Sequence, residues 1–457
     1  MTTMFNTRRR VSRFGLVATL LACGCEAPAP PPATPSAVAA TAPSSSPADL
    51  RRAEWRALAT TSPRTKGRTD PVDAQLEALV ASAQKVPTRP EPWIVLGQAW
   101  VVKARQSGDV GYYTSADACA SIALDLAPDL TIAEHLRLLV MQNNHAFQQA
   151  RDLAQRLTAR NADDFIAYGA LSDAYLELGK LDAAVDAAQR MVDLKPSLPA
   201  YARMAHLRWL LGDLTGAQEG FKLAFDAGRG ARDPEPVAWV LVQAATLFWH
   251  QGDLEGVAAG ADFVRKHLPN LGDYAPLLQL EGRLALARGE ARIAVERLTR
   301  AFAVTPVAET AWLLADAHLA AGETDAAAKA EAEVLRLGRQ GDARTLAQFL
   351  AERNRNPDEA VAAATEDRKH RGGPYADDAL AFALFRAGRV DEALPLARAV
   401  AAQKVPDARL DYHAGLVLSA GAATRAEGHA LLQRALKTNP RFDAHAVAAI
   451  KAELQRQ

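Results

Sequence analysis

Residues 168–196 read YGALSDAYLELGKLDAAVDAAQRMVDLKP. Tyr168, Leu171, Ser172 and Tyr175 recur at i, i+3, i+4 and i+7, which places them on one face of a helix. Gly179–Lys180 interrupts that pattern. A second helical face follows in Ala184, Ala188 and Met191, and Pro196 stops it. Two short amphipathic helices joined by a glycine turn must bury their faces on each other and on neighbours.

The order aromatic, Leu, small residue, aromatic, then Ala-x3-Ala and Pro resembles the helix–turn–helix unit of the tetratricopeptide repeat family. The resemblance recurs down the chain. It implies an all-α solenoid of about ten such repeats wound as a right-handed superhelix, with binding of other proteins as its general task. The late segments Asp378–Gly388 and Tyr412-His413-Ala414-Gly415 resemble bacterial tetratricopeptide proteins in particular. A glycine between the two helices counts the units, at Gly179, Gly212, Gly252, Gly289, Gly322, Gly388 and Gly421. Three of these gaps are 33 residues, near the family period of about 34. Asn356 stands inside the double gap from Gly322 to Gly388. Gly or Asn belongs there because the first helix has to end in a left-handed residue before a sharp turn.

Residues 71–440 form the expected array. Asp70 and Pro71 open a helix through Lys85 that covers the edge of the first full unit, and Trp93, Leu96, Gly97 and Trp100 start that unit. Its second half, Ala116, Ala120 and Pro128, arrives seven residues late, which places extra residues in a turn at 108–113. Thr131–Met141 and Ala150–Arg160 make a degenerate unit, residues 228–236 an insertion, and 344–372 the least regular unit. Residues 441–457 form a terminal capping helix.

The N-terminus has a different character. Arg8, Arg9, Arg10 and Arg13 precede a short apolar run from Phe14 to Ala22, the pattern of a signal peptide over residues 1–22. Leu20-Leu21-Ala22-Cys23 resembles a bacterial lipobox, which implies that Cys23 becomes the acylated N-terminus; an ordinary secretory signal is the alternative. Gly24 stands where an inner-membrane retention Asp would be, and resemblance to known lipoproteins then implies the outer membrane, facing the periplasm, with a soluble secreted or periplasmic state as the alternative. Residues 23–70 are rich in Ala, Pro and Ser and form a flexible tether, within which Asp49–Ala59 is a candidate short helix.

At 457 residues the chain exceeds a single compact core, so several domains or a repeat array is expected. Lys+Arg and Asp+Glu are equal at 53 each, and no basic stripe follows the leader, which argues against nucleic acid as a partner. Cys23, Cys25 and Cys119 are too few for a disulfide scaffold, and Cys119 sits in an Ala-rich run suited to a buried thiol. There is no H-E-x-x-H, G-x-S-x-G, P-loop or dinucleotide fingerprint, and the histidines are dispersed. No catalytic residue, metal or cofactor is assigned.

First helices line the concave surface of such arrays. Arg203, His206 and Trp209 form a stripe on one first helix; Thr246, Trp249 and His250 take equivalent places in the next, and Gln279 and Arg283 in the one after. Aromatic and Arg side chains on one strip suit recognition of a protein or peptide partner. Packing of Trp209 and Trp249 between helices is an equally weighted reading. The Lys and Asn pattern that clamps a free C-terminus in some family members is absent at the matching places. The expected function is a non-enzymatic scaffold or adaptor, tethered to a membrane by its N-terminal lipid. The alternatives are an assembly lipoprotein of an outer-membrane barrel or pilus–secretin complex, and an enzyme with an unrecognised site.

Overall fold

The computed structural model describes residues 46–63, 72–107, 109, 111–231 and 233–456. Among them are 23 α-helices, one short 3-10 turn and no strand. Two helices, α1 (Pro47–Ala59) and α2 (Asp73–Lys85), precede ten helix pairs. The pairs are α3 (Pro90–Ser107) with α4 (Gly111–Leu126), α5 (Thr131–Asn143) with α6 (Phe147–Arg160), and α7 (Phe165–Glu177) with α8 (Leu181–Leu194). Next come α9 (Leu198–Leu210) with α10 (Leu214–Gly228), α11 (Glu235–His250) with α12 (Leu254–His267), and α13 (Ala275–Arg288) with α14 (Ala291–Val304). Then α15 (Ala308–Ala320) pairs with α16 (Thr324–Gly341), and α17 (Ala343–Glu352) with α18 (Pro357–Arg368). Last are α19 (Pro374–Arg386) with α20 (Val390–Ala402) and α21 (Ala408–Ser419) with α22 (Arg425–Thr438), and α23 (Ala444–Leu454) ends the stack.

The chain is therefore an all-α solenoid. Each pair packs internally, each second helix packs on the next first helix, and successive first helices touch along one side. Small residues set the spacing. A Cβ at Gly282 would lie 2.5 Å from Leu298 Cγ, and one at Gly260 would lie 2.6 Å from Ala245 Cβ. Gly282→Ala is expected to cost about 1–3 kcal/mol through overpacking, and a shift of the urea midpoint at constant m-value reads it.

The turn inside most pairs has one design. Gly179, Gly212, Gly252, Gly289, Gly322 and Gly388 have φ between 71° and 82°. The amide after each glycine bonds back to a carbonyl five residues earlier, as in Lys180 N to Tyr175 O at 2.8 Å and Asp253 N to Phe248 O at 2.9 Å. Asp213 and Asp253 then cap the second helix by accepting from Gly216 N and Gly256 N. Asn356 is left-handed as expected, at φ 46°, and Asn354 joins it at 49°. Gly421 departs from the pattern and has no positive φ. There the Thr424 hydroxyl donates to the Leu418 carbonyl at 2.5 Å and closes the helix end instead.

Two expectations change at the N-terminal side. The late second half of the first unit does not come from a long turn: α3 continues to Ser107 and α4 begins at Gly111, so the extra residues mostly lengthen the helices. Tyr112 is helical and stacks on Trp100 at 5.2 Å. Nor does a free tether run to residue 70. α1 docks on α4, with Trp100 Nε1 donating to the Ala59 carbonyl at 2.9 Å and Arg52 Nε 2.7 Å from Asp125 Oδ2. Trp55 and Leu58 pack against the first core cluster, which supplies the apolar reason for docking. The signal peptide, Cys23, Cys25, the Pro-rich run to residue 45 and the Asp70–Pro71 helix start lie outside the described residues. Cys119 is buried, and burial raises its thiol pKa.

The array coils far enough to meet itself. Gly372 N donates to the Glu177 carbonyl at 2.8 Å, and Leu178 and Gly372 form a lone parallel bridge. Further on, Asn439 Nδ2 donates to the Trp249 carbonyl at 2.7 Å across 190 residues of chain. Intra-pair turns of one superhelical turn thus rest on inter-pair connections of the next.

Candidate binding cavity

Because the turns meet, the concave groove becomes a cavity of about 1240 Å³. One wall comes from α9, α11, α13 and α15. The other comes from the start of α19, the α20–α21 connection, α21 and α23. Seven of the eight groove residues expected from sequence lie on this lining: His206, Trp209, Thr246, Trp249, His250, Gln279 and Arg283.

Arg203 does not. Its Nε and Nη2 grip the Asp173 carboxylate at 2.9 and 2.6 Å, and Nη1 donates to the Pro199 carbonyl at 3.0 Å. Its stripe position points it back at the preceding repeat. Arg203→Ala would leave Asp173, itself 5% exposed, without that partner, and is expected to lower stability by about 3–5 kcal/mol as for a broken buried pair. A denaturation curve reads the loss.

The two tryptophans satisfy both readings, since Trp209 and Trp249 are 4% and 7% exposed yet reach the cavity. The Trp209 ring lies 4.6 Å from His250 and 5.5 Å from His206. Burial pushes the His206 pKa down to about 3 and lowers that of His250 despite the nearby Asp407 carboxylate. Both imidazoles are therefore neutral near pH 7. Among the described residues, buried Trp209 Nε1 and buried Arg283 Nε have no hydrogen-bond acceptor. A buried N–H left unmade costs about 1–3 kcal/mol, so these two groups are a local cost of packing the wall; both atoms are closed to solvent.

The opposite wall escapes the sequence reading. Asp407 Oδ2 accepts from Tyr375 OH at 3.2 Å and lies 3.8 Å from His250 Nδ1. Arg409 sits over the Trp312 ring at 5.0 Å and 3.8 Å from Asp443. The only sequence signal for these residues is their place at the start of a first helix.

Most carboxylates on the lining are already neutralised. Glu309 pairs with Arg283, Asp316 with Arg353, Asp273 with Arg300, and Asp378 with His413. Among the described residues no group of His, Cys, Asp and Glu is arranged to hold a metal ion, and no helix is long and apolar enough to cross a membrane. An aromatic wall with internally balanced charge suits a ligand that brings apolar surface.

The tetratricopeptide repeat family model matches residues 138–199 and 280–343. Similar solved structures include the Cut9–Hcn1 hetero-tetramer of the APC/C, at 16% identity over 74% of this chain and 64% of that one, with a TM-score of 0.47. The chain thus spans less than two thirds of that relative. MamA from Desulfovibrio magneticus RS-1 is 21% identical over 40% of this chain and 98% of its own, with a TM-score of 0.28. Yeast Tom70 is 12% identical over 83% and 96%, with a TM-score of 0.35. No curated protein matches the chain.

Proposed function

We propose that the chain, two stretches of which match the tetratricopeptide repeat model, is a non-enzymatic interaction scaffold whose cavity takes an extended segment of a partner protein. The observation that carries this reading is the cavity of about 1240 Å³ walled by Trp209, Trp239 and Trp249 on successive first helices. An extended peptide offers apolar side chains to the rings and backbone groups to the polar side chains among them. A family scaffold that presents first helices inward supplies the frame.

The same proposal places the protein outside the cytoplasm, held at a membrane through acylated Cys23, with the periplasmic face of an outer membrane as its site. The lipobox-like Leu20–Cys23 and the arginine-rich leader support this. Incorporation of labelled palmitate that disappears in Cys23→Ser is the expected result; equal labelling of both forms contradicts the anchor.

For the cavity, a pull-down from a membrane extract compares the wild type with Trp209→Ala/Arg283→Ala. Residues of this kind each carry about 2 kcal/mol or more when they are interface hot spots. A captured partner is therefore expected to be lost by the double variant and kept by Leu223→Ala, a control at an exposed position off the lining. Equal capture by wild type and double variant contradicts the cavity as the site.

A further inference from the structure

The line where successive turns of the solenoid meet is built unlike the rest of the fold. Within a turn, helices pack through buried Ala and Leu. Across the line, backbone meets backbone. A Cβ at Gly179 would fall 2.5 Å from Gly373 N, and Gly372 N already bonds to the Glu177 carbonyl. The buried Arg371 side chain stitches this end, 3.5 Å from Glu177, 3.1 Å from Asp367 and 2.9 Å from His145 Nδ1. The other end is held by the Asn439 side chain on the Trp249 carbonyl. Between them, Val400, Val405 and Leu410 share one buried cluster with Trp209 and Leu210.

Hydrogen bonds of this kind are exchanged for bonds to water when they part, so each adds little net stability. Helix pairs, by contrast, lose continuous apolar contact on opening. Among the described residues one apolar cluster crosses the seam, so the seam is a weaker closure than the helix pairs, which pack along their length. It also divides the lining: Trp209, Trp249 and His250 lie on one side, and Gly372, Tyr375, Asp407 and Leu410 on the other.

We infer that the seam is a gate, which parts without unfolding of the helices to admit a segment from the side and closes over it. The inference rests on the cavity being the binding site proposed above, but its test needs no partner. Gly372 has no positive φ, and its added methyl would meet the Leu178 carbonyl oxygen at 2.7 Å. Gly372→Ala thus wedges the turns apart without straining its own backbone.

Hydrogen exchange on the full chain reads the gate. The gate predicts that Gly372→Ala accelerates exchange about tenfold at the remote end of the seam, residues 249–253 and 437–441, while α4 and α14 keep the wild-type rate. Asn439→Ala is the reciprocal variant, with the same acceleration expected at residues 369–376, and it stands alone should Gly372→Ala not fold. Acceleration confined to the neighbourhood of each substitution, or shared equally by α4 and α14, overturns the gate. The first result means independent loops and the second means global unfolding. The gate is read from exchange in the free chain and the site from partner capture by Arg283→Ala, which lies outside the seam cluster, so the gate and the binding site fail separately.

Discussion

Asp73→Ala is expected to destabilise the N-terminal end of the array by about 3–5 kcal/mol, the usual cost of removing one partner from a buried ion pair. Lys103 is fully buried, and its ammonium lies 2.6 Å from Asp73 Oδ1 inside a cluster that contains Trp93 and Trp100. Removing the carboxylate takes a close partner from that buried charge. A repeat array transmits such a loss mainly to neighbouring units. Urea unfolding followed by circular dichroism should therefore show an early transition confined to the first helices, with α13 to α22 protected in hydrogen exchange. Asp73→Leu/Lys103→Met, which replaces both charges with apolar volume, is expected to recover most of the loss. A single-variant cost below about 1 kcal/mol would show that the pair is solvated in solution.

The second large effect concerns pH. His413 is 1% exposed, stacks on Phe382 at 3.8 Å, and directs Nδ1 to Asp378 and Nε2 to Glu352, each at 2.9 Å. Both ring nitrogens donate only in the imidazolium. Burial alone lowers its pKa, but the two carboxylates more than offset this and raise it to about 9. The folded value lies above the unfolded one of 6.5. The stability this group contributes is thus complete below pH 6.5 and is lost as pH rises through about 9. The loss is on the order of 3 kcal/mol. Denaturation midpoints at pH 6, 7.5 and 9 should fall for the wild type, and the fall across this window should vanish in His413→Gln. An unchanged slope in the variant would assign the pH dependence to other groups.

The fold was legible because its turns demand particular residues. Gly179, Gly212 and Gly252 announce themselves through left-handed backbone that few other residues adopt. Gly421 marks its turn as expected but without left-handed backbone, because Thr424 closes that helix end with a hydroxyl. The near wall of the cavity was legible too, since Trp209, Trp249 and Arg283 occupy inward first-helix positions that follow from helical periodicity. Arg203 shares that stripe, but its partner Asp173 lies 30 residues earlier, nearly one repeat away. That spacing is the trace an inter-repeat ion pair leaves in a sequence. The far wall was not legible. Tyr375, Asp407 and Asn439 meet His250 and Trp249 only through small rotations between units, summed over some 190 residues of coil. No local pattern encodes that sum. Docking of α1 was hidden for a related reason, because its contacts with Trp100 and Asp125 are long-range and its own composition is polar.

Photocrosslinking with an unnatural amino acid at two exposed leucines tests the central claim most directly. Leu319 is 39% exposed on the cavity lining, and Leu223 is 48% exposed on α10, away from that lining. In membrane extracts, a partner segment held in the cavity predicts a discrete adduct from position 319 that Trp209→Ala/Arg283→Ala abolishes, with none from position 223. Adducts from position 223 alone, or equally from both, would place the contact on the outer surface and contradict the account.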